Sequence, residues 1–321
     1  MPVLTPDFSP SLPFKNGHFN TIYRTLFMKE RHNFERLRID TFDHDFIDLD
    51  FSKVGSSVLV VLIHGLEGSS ESKYILSATD ELNNEGYDTV AFNLRGCSGE
   101  DNLLLQTYHS GKTDDVDFVV SYLVENYDYE KILIVGYSLG GNLTLKYLGE
   151  YANKIPDEII GGIAVSVPVD LTTSCKQMRL LKNKLYMEEF LKTLRLKVLE
   201  KAHKFPESEL DKDKLFKAKC FDDFDELYTA PVFGFDSPMD YWTKASSKPY
   251  IPKIKKPAYL ITSLDDPFLS KECYPYEEAE GMDNFHLLAT KYGGHVGFIS
   301  GFLGKNRWLE GKIIQFLKDC M

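Results

Sequence analysis

Gly136-Tyr137-Ser138-Leu139-Gly140 is the stretch that decides the fold, because of the segments on either side of it. Residues 131–135 are a short apolar run rich in β-branched side chains, which is typical of a buried parallel strand. Residues 142–148 place apolar side chains at helical spacing, and Gly149 is predicted to end that helix. A serine flanked by glycines at a strand-to-helix turn is a nucleophile elbow, so Ser138 is predicted to project from the sheet edge as a nucleophile.

The partners that a serine nucleophile needs follow in chain order. A serine hydroxyl requires a hydrogen-bonded base, which is itself oriented by a carboxylate. The apolar run 257–263 predicts a buried strand, and Asp265-Asp266-Pro267 follows it. A further predicted strand, 285–290, leads into Gly293-Gly294-His295. His295 is therefore predicted as the base.

Two adjacent acids, Asp265 and Asp266, are candidates for the orienting carboxylate. Neighbouring residues of a nearly extended chain point to different sides, so both cannot face His295 well. The residue before a proline is biased towards an extended backbone, which favours Asp266. Asp265 is then expected to accept hydrogen bonds that brace the loop.

An oxyanion hole would stabilise the charge that develops on an attacked carbonyl oxygen. The backbone N–H of Leu139, directly after the serine, is predicted as one donor. Residues 58–63 predict an early strand, and His64-Gly65-Leu66 follows it, so the N–H of Leu66 is predicted as the second donor. The alternative is that His64-Gly65 is only a turn that leaves a strand. His64 itself is expected to brace the loop.

The motifs in combination are more specific than any one of them. They are Asn16-Gly17-His18, His64-Gly65-Leu66-Glu67-Gly68, Asn93-Leu94-Arg95-Gly96-Cys97, Tyr108-His109-Ser110-Gly111, Gly136-Tyr137-Ser138-Leu139-Gly140, Asp265-Asp266-Pro267-Phe268 and Gly294-His295-Val296-Gly297. This set resembles the α/β-hydrolase superfamily, and within it the YheT-like branch of ABHD-type esterases. The resemblance spans nearly the whole chain and implies Ser138, Asp266 and His295 as a catalytic triad.

Strands that alternate with helices predict an α/β fold with a mostly parallel central sheet and helices on both faces. Residues 35–51 predict a hairpin. We expect residues 1–321 to form a single α/β-hydrolase domain, with a helical cap at 171–241 inserted between core strands. Apolar residues in the cap follow helical spacing in two stripes, which are Met178, Leu181 and Leu185, and then Phe190, Leu194 and Val198. Such a cap would cover the site, whereas the alternative is a peripheral decoration packed on the core.

Length and composition agree with a soluble enzyme. The 321 residues are 43% hydrophobic and 26% charged, with a net charge of −11, which argues against nucleic acid and anionic membrane surfaces as partners. The five cysteines are odd in number and lack a C-x-x-C spacing, so neither disulfides nor a zinc site are expected. No signal peptide or run of ~18 apolar residues is evident, and a cytoplasmic location is expected.

These features predict a serine carboxylesterase that hydrolyses short- to medium-chain acyl esters without a metal or cofactor. Its expected partner is a small-molecule or lipid-like ester, and no oligomeric state is indicated. The alternatives are acyl transfer to an alcohol through the same acyl-enzyme, and a non-catalytic binding protein on a hydrolase fold. Cys97 is a weaker candidate nucleophile. Arg95 and His109 are expected to hold loops near the site.

Overall fold

The computed structural model describes residues 2–28, 30–302 and 307–321. A sheet of eight strands lies at the centre of this part of the chain. The strands are β1 Glu35–Asp40, β2 Phe46–Ser52, β3 Val58–Ile63, β4 Asp88–Asn93, β5 Lys131–Tyr137, β6 Ile159–Val165, β7 Ala258–Ser263 and β8 Phe285–Thr290. Their spatial order is β1-β2-β4-β3-β5-β6-β7-β8. β2 pairs antiparallel with β1 and with β4, which confirms the predicted hairpin, and the other neighbouring strands are parallel.

Helices cover both faces of the sheet. They are α1 Gly17–Phe27, α2 Lys73–Asn84, α3 Thr113–Asn126, α4 Leu139–Glu150, α5 Leu171–Met178, α6 Lys184–Lys204, α7 Lys212–Lys217, α8 Phe221–Phe224, α9 Ala230–Phe233, α10 Pro238–Ala245, α11 Tyr276–Glu280 and α12 Trp308–Cys320. Alternate residues of β3 enter two separate cores, because successive side chains of a strand point to opposite faces. Val61 and Ile63 pack in the core that contains α3 and α4 residues. Val60 and Leu62 pack with residues of α2 and α12. The expected α/β architecture is confirmed.

Gly149 does not end α4 as predicted, because the helix continues to Glu150. A Cβ added to Gly149 would lie 2.2 Å from the carbonyl oxygen of Tyr250. The glycine therefore permits a close approach between α4 and the chain at Tyr250. A glycine is needed at this position for packing rather than to end the helix.

Residues 171–245, here called the helical insertion, lie between β6 and β7 and contain α5 to α10 without a strand. A π-helical turn, Asp225–Thr229, interrupts the run of α-helices. Buried apolar residues of α6, which include Leu191, Leu194 and Val198, pack in a core made mostly of insertion residues together with Phe268. The second predicted stripe is thus confirmed as an inward-facing one.

The first predicted stripe, Met178, Leu181 and Leu185, is wrong. α5 ends at Met178 and α6 begins at Lys184, so the three residues do not share one helix. Met178 is buried, whereas Leu181 and Leu185 are 86% and 84% exposed. Leu180 has an extended backbone, with φ −62° and ψ 143°, and this residue breaks the apparent helical period.

Candidate active site

Ser138 occupies the sharp turn between β5 and α4. Its backbone has φ 53° and ψ −115°, which is an unusual conformation for a residue with a side chain. A Cβ on Gly136 would lie 2.1 Å from the carbonyl oxygen of Gly140, and a Cβ on Gly140 would lie 2.3 Å from that of Ile63. Both flanking glycines are thus required by close backbone contacts, and the predicted elbow is present.

The structure brings Ser138, His295 and Asp266 into one hydrogen-bonded chain. His295 Nε2 lies 2.9 Å from Ser138 Oγ, and His295 Nδ1 lies 2.8 Å from Asp266 Oδ2. An ionised carboxylate only accepts hydrogen bonds, so the imidazole donates from Nδ1 and accepts the serine proton at Nε2. This is the arrangement in which a histidine can remove the serine proton.

Asp265 and Asp266 point to different partners, as expected for neighbours. Asp265 Oδ1 accepts a hydrogen bond of 2.9 Å from the backbone N–H of Gly294, at the base of the histidine loop. Asp266 Oδ1 accepts one of 2.9 Å from the N–H of Phe268, which leaves Oδ2 directed at His295. Burial raises the pKa of the Asp265 carboxyl.

The two predicted oxyanion donors lie beside Ser138. Leu66, Leu139, Ser138 and His295 line the same cavity. Among the described residues, no acceptor pairs with the backbone N–H of Leu66 or of Leu139. A Cβ on Gly65 would lie 3.1 Å from Ser138 Cβ, so the glycine lets this loop approach the nucleophile.

His64 braces the same loop. Its Nε2 accepts a 3.0 Å hydrogen bond from the N–H of Leu94, and its Nδ1 donates to the carbonyl oxygen of Gly65 at 2.7 Å. Burial lowers the pKa of His64 to about 4, so the ring is neutral at pH 7. With both ring nitrogens bonded to backbone groups, His64 has the bracing role that the sequence predicted.

Glu67, which follows Leu66, is held by two side chains that the sequence reasoning missed. Its backbone has φ 53°. Its N–H donates to Tyr108 Oη at 2.8 Å, while Tyr108 Oη donates to Glu67 Oε1 at 2.7 Å. Lys197 Nζ, from α6 of the helical insertion, contacts the same Oε1 at 2.8 Å. The loop that carries Leu66 is therefore tied directly to the helical insertion.

α1 supports the loop that carries His295. Thr21 Oγ1 accepts a 2.8 Å hydrogen bond from the N–H of His295, and Asn20 Oδ1 accepts one of 2.9 Å from Ile299. Arg24 Nη1 donates to the carbonyl oxygen of Gly297 at 3.1 Å. The family resemblance rested in part on Asn16-Gly17-His18, at the start of this helix. The sequence did not predict that the helix positions His295.

The cavity at Ser138 extends under the helical insertion and is mostly apolar. Its lining from the insertion includes residues of α5, α6, α8 and α10, among them Leu171, Cys175, Met178, Phe190, Leu194, Val198, Phe221, Phe224, Tyr241 and Trp242. Pockets of this composition bind the apolar part of a small molecule and use a few polar groups to orient it.

Asp225 is a buried acid in the lining of this cavity. Its two carboxyl oxygens accept hydrogen bonds of 2.6 Å from Thr229 Oγ1 and 2.8 Å from Trp242 Nε1. Burial raises the pKa of Asp225 to about 7, and nearby Asp222 adds to the rise. No described cation lies within ion-pairing distance of it, and the sequence reasoning missed this residue.

The contacts of three other candidate residues indicate structural rather than catalytic roles. Burial raises the pKa of the Cys97 thiol to about 12, which leaves it a poor nucleophile at pH 7. Arg95 is buried and joins loops as expected, but it binds the carboxylates of Asp115 and Asp43, at 2.7 and 2.9 Å, rather than backbone carbonyls. His109 packs against aromatic rings and accepts from the N–H of Gly111, and burial lowers its pKa to about 3.

Within residues 2–28, 30–302 and 307–321, no group of three or more His, Cys, Asp or Glu side chains could hold a metal ion. No helix in the same ranges is long and apolar enough to span a bilayer.

Comparisons with known proteins show the family. A family model described as alpha/beta hydrolase fold matches residues 58–302. YheT of Escherichia coli strain K12, whose name includes the word esterase, is 31% identical over 320 residues, covering 97% of this chain and 93% of YheT. Human phospholipase ABHD3 is 30% identical over 331 residues, covering 100% of this chain and 80% of ABHD3.

Solved structures show the same fold at lower identity. The Pyrococcus furiosus esterase Pf2001 matches with a TM-score of 0.62 and 22% sequence identity, covering 89% of this chain and 91% of the esterase. At that identity the likeness is evidence for the fold alone.

Proposed function

This chain belongs to the α/β-hydrolase family and to its YheT-like branch, and it is a hydrolase of the esterase and lipase type; from that premise we propose that it is a serine carboxylesterase. The observation that carries the proposal is the hydrogen-bonded chain from Ser138 through His295 to Asp266. We propose these three residues as the catalytic triad.

The geometry supports a two-stage reaction. Ser138 Oγ attacks the ester carbonyl carbon while His295 Nε2 takes the hydroxyl proton, which forms a tetrahedral intermediate. Asp266 stabilises the charged imidazolium through Nδ1. The C–O bond to the alcohol then breaks as Nε2 returns the proton to the leaving oxygen. Water repeats the two steps on the acyl-enzyme, releasing the acid and restoring Ser138.

The backbone N–H groups of Leu66 and Leu139 are the proposed oxyanion hole. Donors placed in advance where negative charge develops contribute more to catalysis than groups that must first reorient. The N–H groups are free of other acceptors among the described residues, and Leu139 is held in place at the start of α4. Glu67 and its contacts with Tyr108 and Lys197 hold the loop of Leu66.

We further propose that residues 1–321 form one domain in which residues 171–241 act as a cap over the site. Support comes from the cavity, because residues of the helical insertion line it together with Ser138 and His295. The mainly apolar lining supports a short- to medium-chain acyl ester as substrate. The name of the human relative, a phospholipase, supports a lipid-like ester.

A cytoplasmic location is also part of the proposal. All five cysteines are free thiols, which is usual for proteins of a reducing compartment.

A fluorophosphonate probe tests the nucleophile. Wild type should become covalently labelled and should hydrolyse p-nitrophenyl esters, whereas Ser138→Ala should do neither while keeping its circular dichroism spectrum. Equal ester turnover by the two proteins would contradict a serine mechanism. Absence of both labelling and turnover in wild type, on esters of two to twelve carbons, would favour the non-catalytic binding protein.

The same ester panel distinguishes hydrolysis from acyl transfer. Added glycerol or ethanol should leave the yield of free acid unchanged if water is the acceptor. A new ester that replaces the acid as the main product would assign the enzyme to acyl transfer.

Replacing cavity residues tests the cap. Phe190→Ser and Leu194→Ser should reduce kcat/KM for octanoyl esters more than for acetyl esters, because only the longer chain reaches α6. Lys192→Ser, an exposed position on the same helix, is the control. Unchanged chain-length preference in folded variants would make the insertion a peripheral decoration.

A further inference from the structure

The histidine loop, residues 291–299, contains neither helix nor strand and is held by side chains from other parts of the chain. Three consecutive backbone N–H groups, those of residues 294–296, each donate to a different side chain. Asp265 and Thr21 accept the first two of these hydrogen bonds, as described above. The third is accepted by Ser166 Oγ at 3.0 Å. This third contact comes from a serine outside the proposed triad and oxyanion hole.

Ser166 lies at the end of the strand that also supports the nucleophile. It follows β6 directly, and its own N–H donates to the carbonyl oxygen of Ile261 in β7 at 2.8 Å. The preceding residue, Val165, accepts a 2.8 Å hydrogen bond from the N–H of Ser138. Two adjacent residues at the end of β6 thus hold the backbone of the nucleophile and the backbone beside the base. The end of β6 therefore relates the position of His295 to that of Ser138.

The backbone of Ser166 is strained in a way that a glycine would avoid. Its φ of 52° lies in the left-handed region, which glycine adopts freely and residues with a side chain adopt at a cost. Val296, which donates to it, has a φ of 57°, which is more unusual still for a β-branched residue. Strained residues persist only where the surrounding contacts over-determine them. A serine at position 166 bears strain that a glycine would not, and it supplies the hydroxyl that holds Val296.

Ser166 lies away from the substrate. It is fully buried, with 0% of its surface exposed, and it is not among the described residues that line the cavity at Ser138. An ester in that cavity would meet Ser138 and His295 but not Ser166. Any effect of Ser166 on catalysis therefore acts through the position of the histidine loop.

We propose that Ser166 is a positioning residue, which sets the place of the His295 imidazole beside Ser138 by holding the N–H of Val296. The proposal rests on the proposed function, because it concerns the base of that reaction. A general base must lie within about 2.6–3.2 Å of the oxygen whose proton it removes. The distance from Nε2 to Oγ is 2.9 Å, so a displacement of about 0.5 Å would break this contact.

Nε2 of His295 has two tasks that depend on its place. It takes the proton from Ser138 Oγ when the ester is attacked, and it returns that proton to the leaving oxygen when the C–O bond breaks. Ethoxide leaves poorly without that proton, whereas p-nitrophenolate is a stable anion and leaves without it. A displaced imidazole should therefore slow the reaction of an ethyl ester more than that of a p-nitrophenyl ester.

The comparison of two acetate esters measures this effect. The values of kcat/KM for ethyl acetate and p-nitrophenyl acetate both report the formation of the same acetyl-enzyme, so the two substrates differ only in the leaving group. Ser166→Ala should lower kcat/KM by about 100-fold for ethyl acetate and by about 10-fold for p-nitrophenyl acetate, since proton transfer by a well-placed group contributes about 10²–10⁴-fold. The ratio of the two values is the readout, because a general loss of folded enzyme leaves it unchanged.

Ser166→Gly separates positioning from stability. It removes the same hydroxyl but relieves the backbone strain, so its Tm should be higher than that of Ser166→Ala. Its loss of activity should nevertheless be at least as large, with the same change in the ester ratio. A purely structural role predicts the opposite order, in which the more stable variant keeps more activity.

Ser246→Ala is the matched control. Ser246 is 5% exposed, and its Oγ accepts a 2.9 Å hydrogen bond from the N–H of Leu171, so it makes the same kind of buried contact just after α10. Its removal should lower the Tm and leave the ester ratio at the wild-type value.

A signal from His295 tests the positioning without turnover. The Nδ1–H proton between His295 and Asp266 should give a downfield NMR resonance in wild type labelled with ¹⁵N-histidine, and His295→Gln assigns it. This resonance should weaken or disappear through exchange with water in both Ser166 variants and persist in Ser246→Ala. If wild type hydrolyses neither ester, the proposed function is contradicted, and the resonance still decides whether Ser166 holds the imidazole in place.

Three results would overturn the proposal. They are a wild-type ester ratio in both Ser166 variants, an unchanged Nδ1–H resonance in both, and a loss of activity that follows the Tm across the Ser166 and Ser246 variants. The last result would assign Ser166 to the stability of the fold alone.

Discussion

Asp225 should make the enzyme less stable as the pH rises from 4 to 7. An unfolded aspartate loses its proton near pH 3.8, whereas burial raises the pKa of Asp225 in the folded protein to about 7. Between those values the folded state binds one more proton than the unfolded state, so stability falls as pH increases. The contribution is favourable below pH 3.8 and is fully lost above about pH 7.

The magnitude follows from the two pKa values. A difference of one pKa unit corresponds to about 1.4 kcal/mol, so the interval from 3.8 to about 7 amounts to about 4 kcal/mol. Asp225→Asn has no charge to lose, and its amide can accept from Trp242 Nε1 and donate to Thr229 Oγ1. The gain in unfolding free energy of the variant over wild type should therefore be about 3 kcal/mol larger at pH 8 than at pH 5.

Urea unfolding followed by circular dichroism at pH 5 and pH 8 measures this gain. All other titrating groups cancel when the variant is compared with wild type at each pH. Asp236→Asn, which makes the same chemical change at an exposed carboxylate of the helical insertion, is the control variant. A gain for Asp225→Asn that is equal at the two pH values, or larger at pH 5, would refute the assignment of a neutral Asp225.

Three further predictions concern the site. Asp266→Asn should lower kcat by about 10⁴-fold through a misoriented imidazole. Asp265→Asn should leave kcat within about tenfold of wild type and mainly lower the Tm. The reverse pattern would assign the orienting role to Asp265. Lys197→Met should lower kcat by about 10- to 100-fold with little change in KM, because the loop of Leu66 loses a contact that holds it in place. Lys197→Arg should restore most of the lost kcat. An effect confined to KM would mean that Lys197 contacts the substrate instead. Gly140→Ala should lower the unfolding free energy by more than about 4 kcal/mol, since the added Cβ would meet the backbone of β3. Gly311→Ala has open space around the added Cβ and should raise the unfolding free energy by about 0.5–1 kcal/mol. Similar urea midpoints for the two variants would contradict the reasoning.

The parts of the fold that the sequence predicts are those with a local physical signature. Apolar runs such as 131–135 and the glycines at 136 and 140 indicate a strand and a sharp turn within a few residues of each other. Pro267 favours Asp266 over Asp265 through a restriction on the backbone of the adjacent residue. In the structure Asp266 contacts His295, and Asp265 accepts from the N–H of Gly294.

The parts that were missed depend on contacts between distant residues. Lys197 meets Glu67 across 130 positions, and no periodic pattern connects them. Asp225 lies among other acids, where an exposed position is the ordinary expectation, and only the packing of Trp242 and Thr229 buries it. Leu181 and Leu185 matched a helical period that the turn between α5 and α6 interrupts.

The contacts between α1 and the histidine loop also have a consequence for the order of events during synthesis. Thr21 and His295 are separated by 274 residues. At about 5–20 residues per second, roughly 14–55 s pass between the synthesis of the two positions. β5 and α4 are synthesised well before His295, so the nucleophile and its base come from parts of the chain that are made far apart in time. An isolated helix as short as the 11 residues of α1 is marginal in water, so we expect α1 and the histidine loop to become ordered together, and ester hydrolysis to begin only after they have packed.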